Sequence, residues 1–116
     1  VTPSDTDWAR IAALYAALVQ IMPSPVVELN RAVAIAMAFG PAAGLAIVDT
    51  LTAEPSLEGY HLLPSVRGDL LVKLGRLDEA RREFERAAAL THNTRERDLL
   101  LERAAACTPT AVARSR

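Results

Sequence analysis

Apolar residues recur at steps of three and four along most of the chain, as they do on the buried face of an α-helix. The first stripe begins after the polar residues 4–7 and is ended by Pro23; it consists of Trp8, Ile11, Tyr15, Leu18 and Met22. The back of this helix is mostly alanine: Ala9, Ala13, Ala16 and Ala17. A helix that is apolar on two sides is usually covered on two sides. Either a neighbouring segment or exposed alanine, the best helix former, accounts for this second face.

Capping signals divide the rest of the chain into five further helices. Ser24-Pro25 predicts the start of a helix that stops at Gly40, and Pro41 opens a third helix that fades by residues 54–55. A linker with a short turn near residues 56–59 follows. Three more helices are expected over about 60–74, 77–90 and 93–106, with Asn93 as the N-cap of the last. Pro64 lies in the first one or two turns of the fourth helix, and a proline there can shift the residue at which that helix begins.

The predicted fold is all-α, with about six helices in antiparallel hairpins. Hydrophobic residues make up 51% of the chain and aromatic residues only 4%, which favours close-packed helices over a β-sandwich. The stretch from Gly68 to Leu90 is predicted to be a helix, a turn at Gly75-Arg76 and a second helix. The spacing is typical of a degenerate tetratricopeptide (TPR) array, which is right-handed, with small residues where helices cross. The matching positions are Trp8, Ile11, Ala12, Tyr15, Gly68, Gly75, Ala80, Phe84 and Ala87.

Domain limits, charge and cysteine content narrow the class of protein. We expect one TPR-like domain over residues 1–107, a disordered tail over 108–116, and, from the start at Val1, a fragment of a longer chain. Lys and Arg number 13 against 14 Asp and Glu, so direct contact with nucleic acid is not expected. The single Cys107 fits a reducing, cytoplasmic compartment. The longest uncharged run, residues 32–48, is broken by Gly40-Pro41 and too short for a membrane span.

Polar residues in unusual positions are the candidates for contact with a partner. Asn30 and Arg31 interrupt the most apolar helix, and a buried charge there needs a partner; the acidic candidates are Glu28, Asp49 and Asp69. A structural network and a partner contact are both compatible with this pattern.

Three further candidates lie later in the chain. Tyr60 and His61 stand at a helix start after the linker, which suits capping or packing as well as partner contact. Arg67 is a polar residue expected to line a groove. Trp8 and Tyr15 are expected to pack in the core.

No pattern in the sequence indicates catalysis. His61, His92 and Cys107 lack the spacing of metal ligands. The sequence has no phosphate-binding glycine loop and no nucleophile elbow. We therefore expect no catalytic residue, no metal and no cofactor, and a protein that is not an enzyme.

Three segments together give the chain a narrower likeness: PSPVVELNRAVA at 23–34, YH at 60–61 followed by RGDLLVKLGR at 67–76, and NTRERDLLLER at 93–103. From about Thr6 to Arg103 the chain resembles the C-terminal extension of a group of bacterial extracytoplasmic-function (ECF) RNA polymerase sigma factors. The resemblance implies a full protein that binds core polymerase and directs it to promoters through domains upstream of Val1. It also implies that this extension regulates or supports sigma activity by contacting those domains, the polymerase or a regulatory protein.

Two other functions fit the residues. A stand-alone TPR adaptor would bind a peptide in its concave groove through polar residues such as Asn30 or Arg67. A small-molecule sensor would bind its ligand within the helical bundle.

Overall fold

The computed structural model describes residues 6–107, and within that range the chain is all-helical, as predicted. Six α-helices and a short 3₁₀ helix at Pro55–Leu57 follow one another without a strand. The α-helices are α1 Trp8–Ile21, α2 Pro25–Phe39, α3 Pro41–Leu51, α4 Leu62–Lys73, α5 Leu77–Leu90 and α6 Thr94–Ala106. The predicted tail, 108–116, lies outside the described residues. No helix in the described part of the chain is both long enough and apolar enough to cross a membrane.

Neighbouring helices pack against each other in successive hairpin-like pairs, in agreement with the predicted fold class. Helix α2 packs against both α1 and α3, and helix α5 packs against both α4 and α6. The contacts group into two compact units that divide between Leu57 and Glu58. The right-handed TPR array and the single domain over 1–107 stay predictions.

Side-chain caps explain where three of the helices begin. The Asp7 carboxylate accepts a hydrogen bond from the Arg10 amide at 3.0 Å, and the Ser24 hydroxyl accepts one from Val27 at 3.4 Å. At α6 the Asn93 side-chain oxygen accepts from the Glu96 amide at 2.8 Å. Each oxygen satisfies an amide that has no partner within the helix, which is why these boundaries could be read from the sequence.

Helix α4 begins two residues later than the predicted Tyr60. Tyr60 and His61 still accept hydrogen bonds from the amides of Leu63 and Ser65, at 3.2 Å each. Pro64 is the third residue of α4. Because amides in the first turn have no intrahelical partner, a proline there removes no helical hydrogen bond.

The first unit is held by close contact between α2 and α3. Gly44 is buried where a Cβ atom would lie 2.6 Å from Ala36 Cβ and 2.7 Å from the Ala32 carbonyl oxygen. Ala32 and Ala36 are themselves buried. Small residues on both helices therefore let the two backbones approach each other.

Helix α1 is less buried than its apolar stripe predicted. Ala12 is buried, while Trp8, Ile11 and Tyr15 are half-buried. The expected burial of Leu18 and Met22 is wrong, because these side chains are 38% and 61% exposed. Helix α1 packs on α2, and this packing covers the first half of the stripe more than the second.

The second unit is built around Phe84, which is fully buried on α5. Gly68 on α4 faces it so closely that a Cβ atom would lie 2.8 Å from a ring carbon. The TPR-like positions Ala80 and Ala87 are also fully buried on α5. The aromatic ring thus fills the space that small residues leave where the helices cross.

The turn between α4 and α5 has the predicted glycine chemistry. Gly75 adopts a left-handed conformation with φ 76°. Its amide donates to the Val72 carbonyl at 3.0 Å, and the Arg76 amide donates to the Leu71 carbonyl at 2.9 Å. These two bonds form a Schellman motif, which ends a helix and satisfies its last carbonyls.

The Gly68–Phe84 contact predicts the effect of adding one methyl group. Gly68→Ala should lower the free energy of unfolding by about 1–2 kcal/mol, because overpacking against a fully buried ring outweighs the better helix propensity of alanine. Urea unfolding followed by circular dichroism measures this change. Gly59→Ala is the matched control, since a Cβ atom there meets nothing within 4 Å and should cause no loss. Equal stability of the two variants would contradict the predicted role of Gly68.

Candidate functional site

The five candidate contact residues fall in both units. Asn30 and Arg31 lie on α2 in the first unit, whereas Tyr60, His61 and Arg67 lie in the second. A side chain that already binds an internal partner is less available to an external one.

Arg31 forms a two-point ion pair with Glu28 on the same helix. Its Nε donates to Glu28 Oε1 at 2.7 Å, and its Nη2 donates to Glu28 Oε2 at 2.8 Å. These hydrogen bonds lower the pKa of Glu28 and raise the pKa of Arg31. Both side chains are about one quarter exposed. Of the three acidic candidates, Glu28 is therefore the observed partner of Arg31, and the two side chains form a structural ion pair.

Asn30, in contrast, is exposed and is not part of a buried network. It lies on the outer line of α2, with Val26, Val33 and Met37 at helical spacing. These three apolar side chains are 41%, 36% and 48% exposed. Asn30 and Arg31 therefore lie in different environments, because adjacent residues on a helix point about 100° apart.

His61 joins the start of α4 to the start of α6. Its Nε2 lies 3.0 Å from Glu96 Oε1, and its ring meets the Tyr60 ring edge-on, with centroids 6.1 Å apart. His61 occupies the N-cap position of α4, but its side chain makes no capping hydrogen bond. Of the predicted roles for this pair, packing is present in the structure and side-chain capping by His61 is not. The contact of His61 with Glu96 was not predicted.

Glu96 is the centre of a small cluster with His61, Thr91 and Asn93. The Thr91 hydroxyl donates to Glu96 Oε1 at 2.6 Å and accepts from the Asn93 amide at 3.2 Å. The Thr91 hydrogen bond is the main cause of a lowered pKa at Glu96, and the nearby His61 charge lowers that pKa further. The sequence indicated the Asn93 cap but not Thr91 or His61 as partners of Glu96.

The contacts of this Glu96 cluster indicate a structural role, which is to connect the starts of α4 and α6 with the end of α5. The Glu96 carboxylate accepts a hydrogen bond from the Thr91 hydroxyl and lies beside the His61 imidazole. Glu96 is in the first turn of α6, three residues after the Asn93 cap. Thr91 is only 6% exposed, so its hydroxyl makes these hydrogen bonds in a largely buried position.

Arg67 belongs to a set of ion pairs between α4 and α5. Its Nη1 lies 3.5 Å from Glu83 Oε2, and its Nη2 lies 3.9 Å from Glu79 Oε2. Glu79 also accepts two hydrogen bonds from Arg76, at 2.7 and 2.8 Å, which lower its pKa. Arg67 is 19% exposed. Its position supports a role in joining two helices rather than in lining an open groove.

Arg103 was not among the sequence candidates, yet it connects three helices. Its guanidinium carbon lies 4.4 Å from the centre of the Phe84 ring, and it forms an ion pair with Asp69. Asp69, considered above as a partner for Arg31, is thereby engaged on α4. Because Asp69 and Arg103 are far apart in the chain, no local spacing signals their contact.

The described residues contain no group of three or more His, Cys, Asp or Glu side chains that could hold a metal ion. Cys107 is buried, and this burial raises the pKa of its thiol. A thiol with a raised pKa is a weak nucleophile near neutral pH.

Comparison with known proteins identifies one informative relative. An uncharacterized protein of Rhizobium meliloti (strain 1021) is 50% identical over 94 residues, which are 81% of this chain and 22% of the relative. The chain thus spans about a fifth of the length of that relative. No family model matches the chain, and no solved structure matches it.

The buried hydroxyl of Thr91 provides a test of the Glu96 cluster. Thr91→Val keeps the shape of the side chain but removes its hydrogen bonds, so we expect a loss of about 1–2 kcal/mol in the free energy of unfolding. Thr50→Val is the control, because the Thr50 hydroxyl makes an exposed bond to its own helix at Ile47. Urea denaturation of both variants measures the difference. A loss at Thr50 as large as that at Thr91 would contradict the assigned role.

The lowered pKa of Glu96 predicts a dependence of stability on pH. A carboxylate with a lowered pKa in the folded state contributes stability above its ordinary value of 4.5, and this contribution is lost as pH falls through the folded-state pKa. The advantage of the natural chain over Glu96→Gln should therefore shrink between about pH 6 and about pH 3. Urea unfolding at both pH values measures it. A difference between the two proteins that stays constant with pH would contradict the prediction.

Proposed function

We propose that the chain is the TPR-like C-terminal domain of a bacterial ECF sigma factor. In this role it supports or controls transcription initiation by contacting the upstream sigma domains, the polymerase or a regulatory protein, and it works in the cytoplasm without catalysing a reaction. The observation that carries the proposal is the resemblance over about Thr6 to Arg103, with its three segments in order.

The positions of those segments in the structure support the proposal. The segment at 23–34 holds the Ser24 cap and the Glu28–Arg31 pair of α2. The segment at 67–76 holds Gly68, which meets Phe84, and the Gly75 turn. These residues form the caps, the turn and the close contact of the helical hairpins. A protein that shares the segments should therefore form the same hairpins.

Charge and length are compatible with this role. A net charge of −1 suits a surface that contacts protein rather than DNA, whose phosphates demand a basic excess. The Rhizobium relative extends well beyond the 94 matched residues, which are 22% of its length. A longer polypeptide of that kind has room for promoter-reading and core-binding domains.

Of the five candidate residues, Asn30 on the exposed line of α2 is the best suited to contact a partner. Asn30 is exposed between Val26 and Val33, whereas Arg31 and Arg67 form ion pairs. His61 contacts Glu96, and Tyr60 packs against His61. A polar amide among partly exposed apolar side chains is a common composition at protein interfaces.

Truncation tests the proposed function directly. We expect the reading frame to continue upstream of Val1 into promoter-reading domains, and we expect removal of the sequence from Thr6 onward to change polymerase retention or transcription. Pull-down with core polymerase and transcription from a cognate promoter measure both. The isolated chain added back in trans is the control for loss of the domain itself.

Two results would overturn this function. One is a reading frame that starts at Val1 with its own start codon. The other is equal polymerase binding and equal transcription by the complete and truncated proteins, provided that circular dichroism shows both to be folded.

A further inference from the structure

The outer face of α1 is apolar and open to solvent. We define this α1 outer face by Leu14, Leu18 and Ile21, which follow one another at steps of four and three and so lie on one side of the helix. Their side chains are 62%, 38% and 81% exposed. Ala13 and Ala17 are exposed on the same helix. Single exposed apolar residues are ordinary in soluble proteins, but a helical row of them indicates a contact surface.

The chain treats another outer face very differently. Helix α5 presents Arg82, Glu85 and Arg86 to solvent, and Arg81 forms an ion pair with Glu85 at 3.4 Å. That charged face is typical of a helix surface in contact with water, because a helix face that stays in water usually carries such polar residues. Helix α1 carries an apolar one instead.

The composition of the α1 outer face favours a helix as its occupant. The alanines at 13 and 17 beside larger leucines leave shallow grooves into which the side chains of a crossing helix fit. A lipid surface is less suitable, because helices that lie on membranes carry many Lys and Arg residues along their polar side. Arg10 is the only basic residue of α1.

The Rhizobium comparison indicates where such a helix could come from. The matched 94 residues make up 22% of the relative, so more than three quarters of that polypeptide lies outside the match. A covering helix from the same polypeptide needs no second protein, and its high effective concentration favours the contact.

We propose that the α1 outer face is covered by a helix of the longer polypeptide to which this chain belongs, contributed by sequence outside these 116 residues. The inference rests on the proposed function in one respect, since both place the chain within a longer protein. It goes beyond that function by naming the surface and its occupant. It also leaves the exposed Asn30 line on α2 free for a separate partner.

Cysteine labelling tests the proposal with little background, because the natural Cys107 is 3% exposed. Leu14→Cys and Ile21→Cys report on the α1 outer face, and Arg82→Cys on the charged face of α5 is the matched control. Each variant is made in the 116-residue chain and in the complete polypeptide that its reading frame encodes. Maleimide labelling rates are then compared, with circular dichroism to confirm that each variant is folded.

In the 116-residue chain, all three cysteines should react at similar rates. In the complete polypeptide, Leu14→Cys and Ile21→Cys should react at least about tenfold more slowly, because labelling then requires a local opening. Arg82→Cys should react at the same rate in both forms. Leu18→Cys serves as a second reporter if either of the first two variants fails to fold.

Unchanged labelling of Leu14→Cys and Ile21→Cys in the complete polypeptide would overturn the proposal. Slow labelling already in the 116-residue chain, together with a dimer in sedimentation, would overturn it in favour of a second copy as the occupant. The proposed function fails separately. If truncation changes transcription while the face stays reactive, the sigma-factor role stands and the covering helix is wrong. If the face is protected but truncation changes nothing, the covering helix stands and the role is wrong.

Discussion

The second unit depends on the contact between Gly68 and the ring of Phe84. Because Gly68 has no side chain, α4 approaches α5 closely enough for the ring to be fully buried between them. Arg103 of α6 covers the same ring and pairs with Asp69 of α4. One aromatic side chain is thus the common neighbour of three helices. The ion pairs of Arg67 and the Glu96 cluster form between the same helices, whose positions this packing sets.

The first unit follows the same physical rule with different residues. Gly44, Ala32 and Ala36 let α2 and α3 approach without an aromatic ring between them. The first unit has few charged residues on its surface, whereas α5 in the second unit presents a charged face to solvent. The exposed apolar side chains of α1 stand out against the charged face of α5. Composition alone does not say which apolar residues are in contact with water.

Local signals predicted most of the helices but only part of the candidate site. Ser24, Asn93 and Gly75 act within a few residues of their own position, so their roles were readable from spacing. Glu28, one of the three acidic candidates for Arg31, is the partner that lies within the same short range. The partners of His61 and Arg67 lie on other helices, and a sequence pattern carries no record of which side chains meet there.

The sequence by itself determined the helical class, the six helices and most of their boundaries, because periodicity, caps and turns are local properties of the backbone. The proposed likeness to a sigma-factor extension also rests on the sequence alone. Only the tertiary structure decided that Asn30 is exposed while Arg31 is paired, that Asp69 serves Arg103, and that Leu18 and Met22 of the first stripe stay open. Burial depends on what packs against a helix, and for α1 the described residues supply a neighbour on one side.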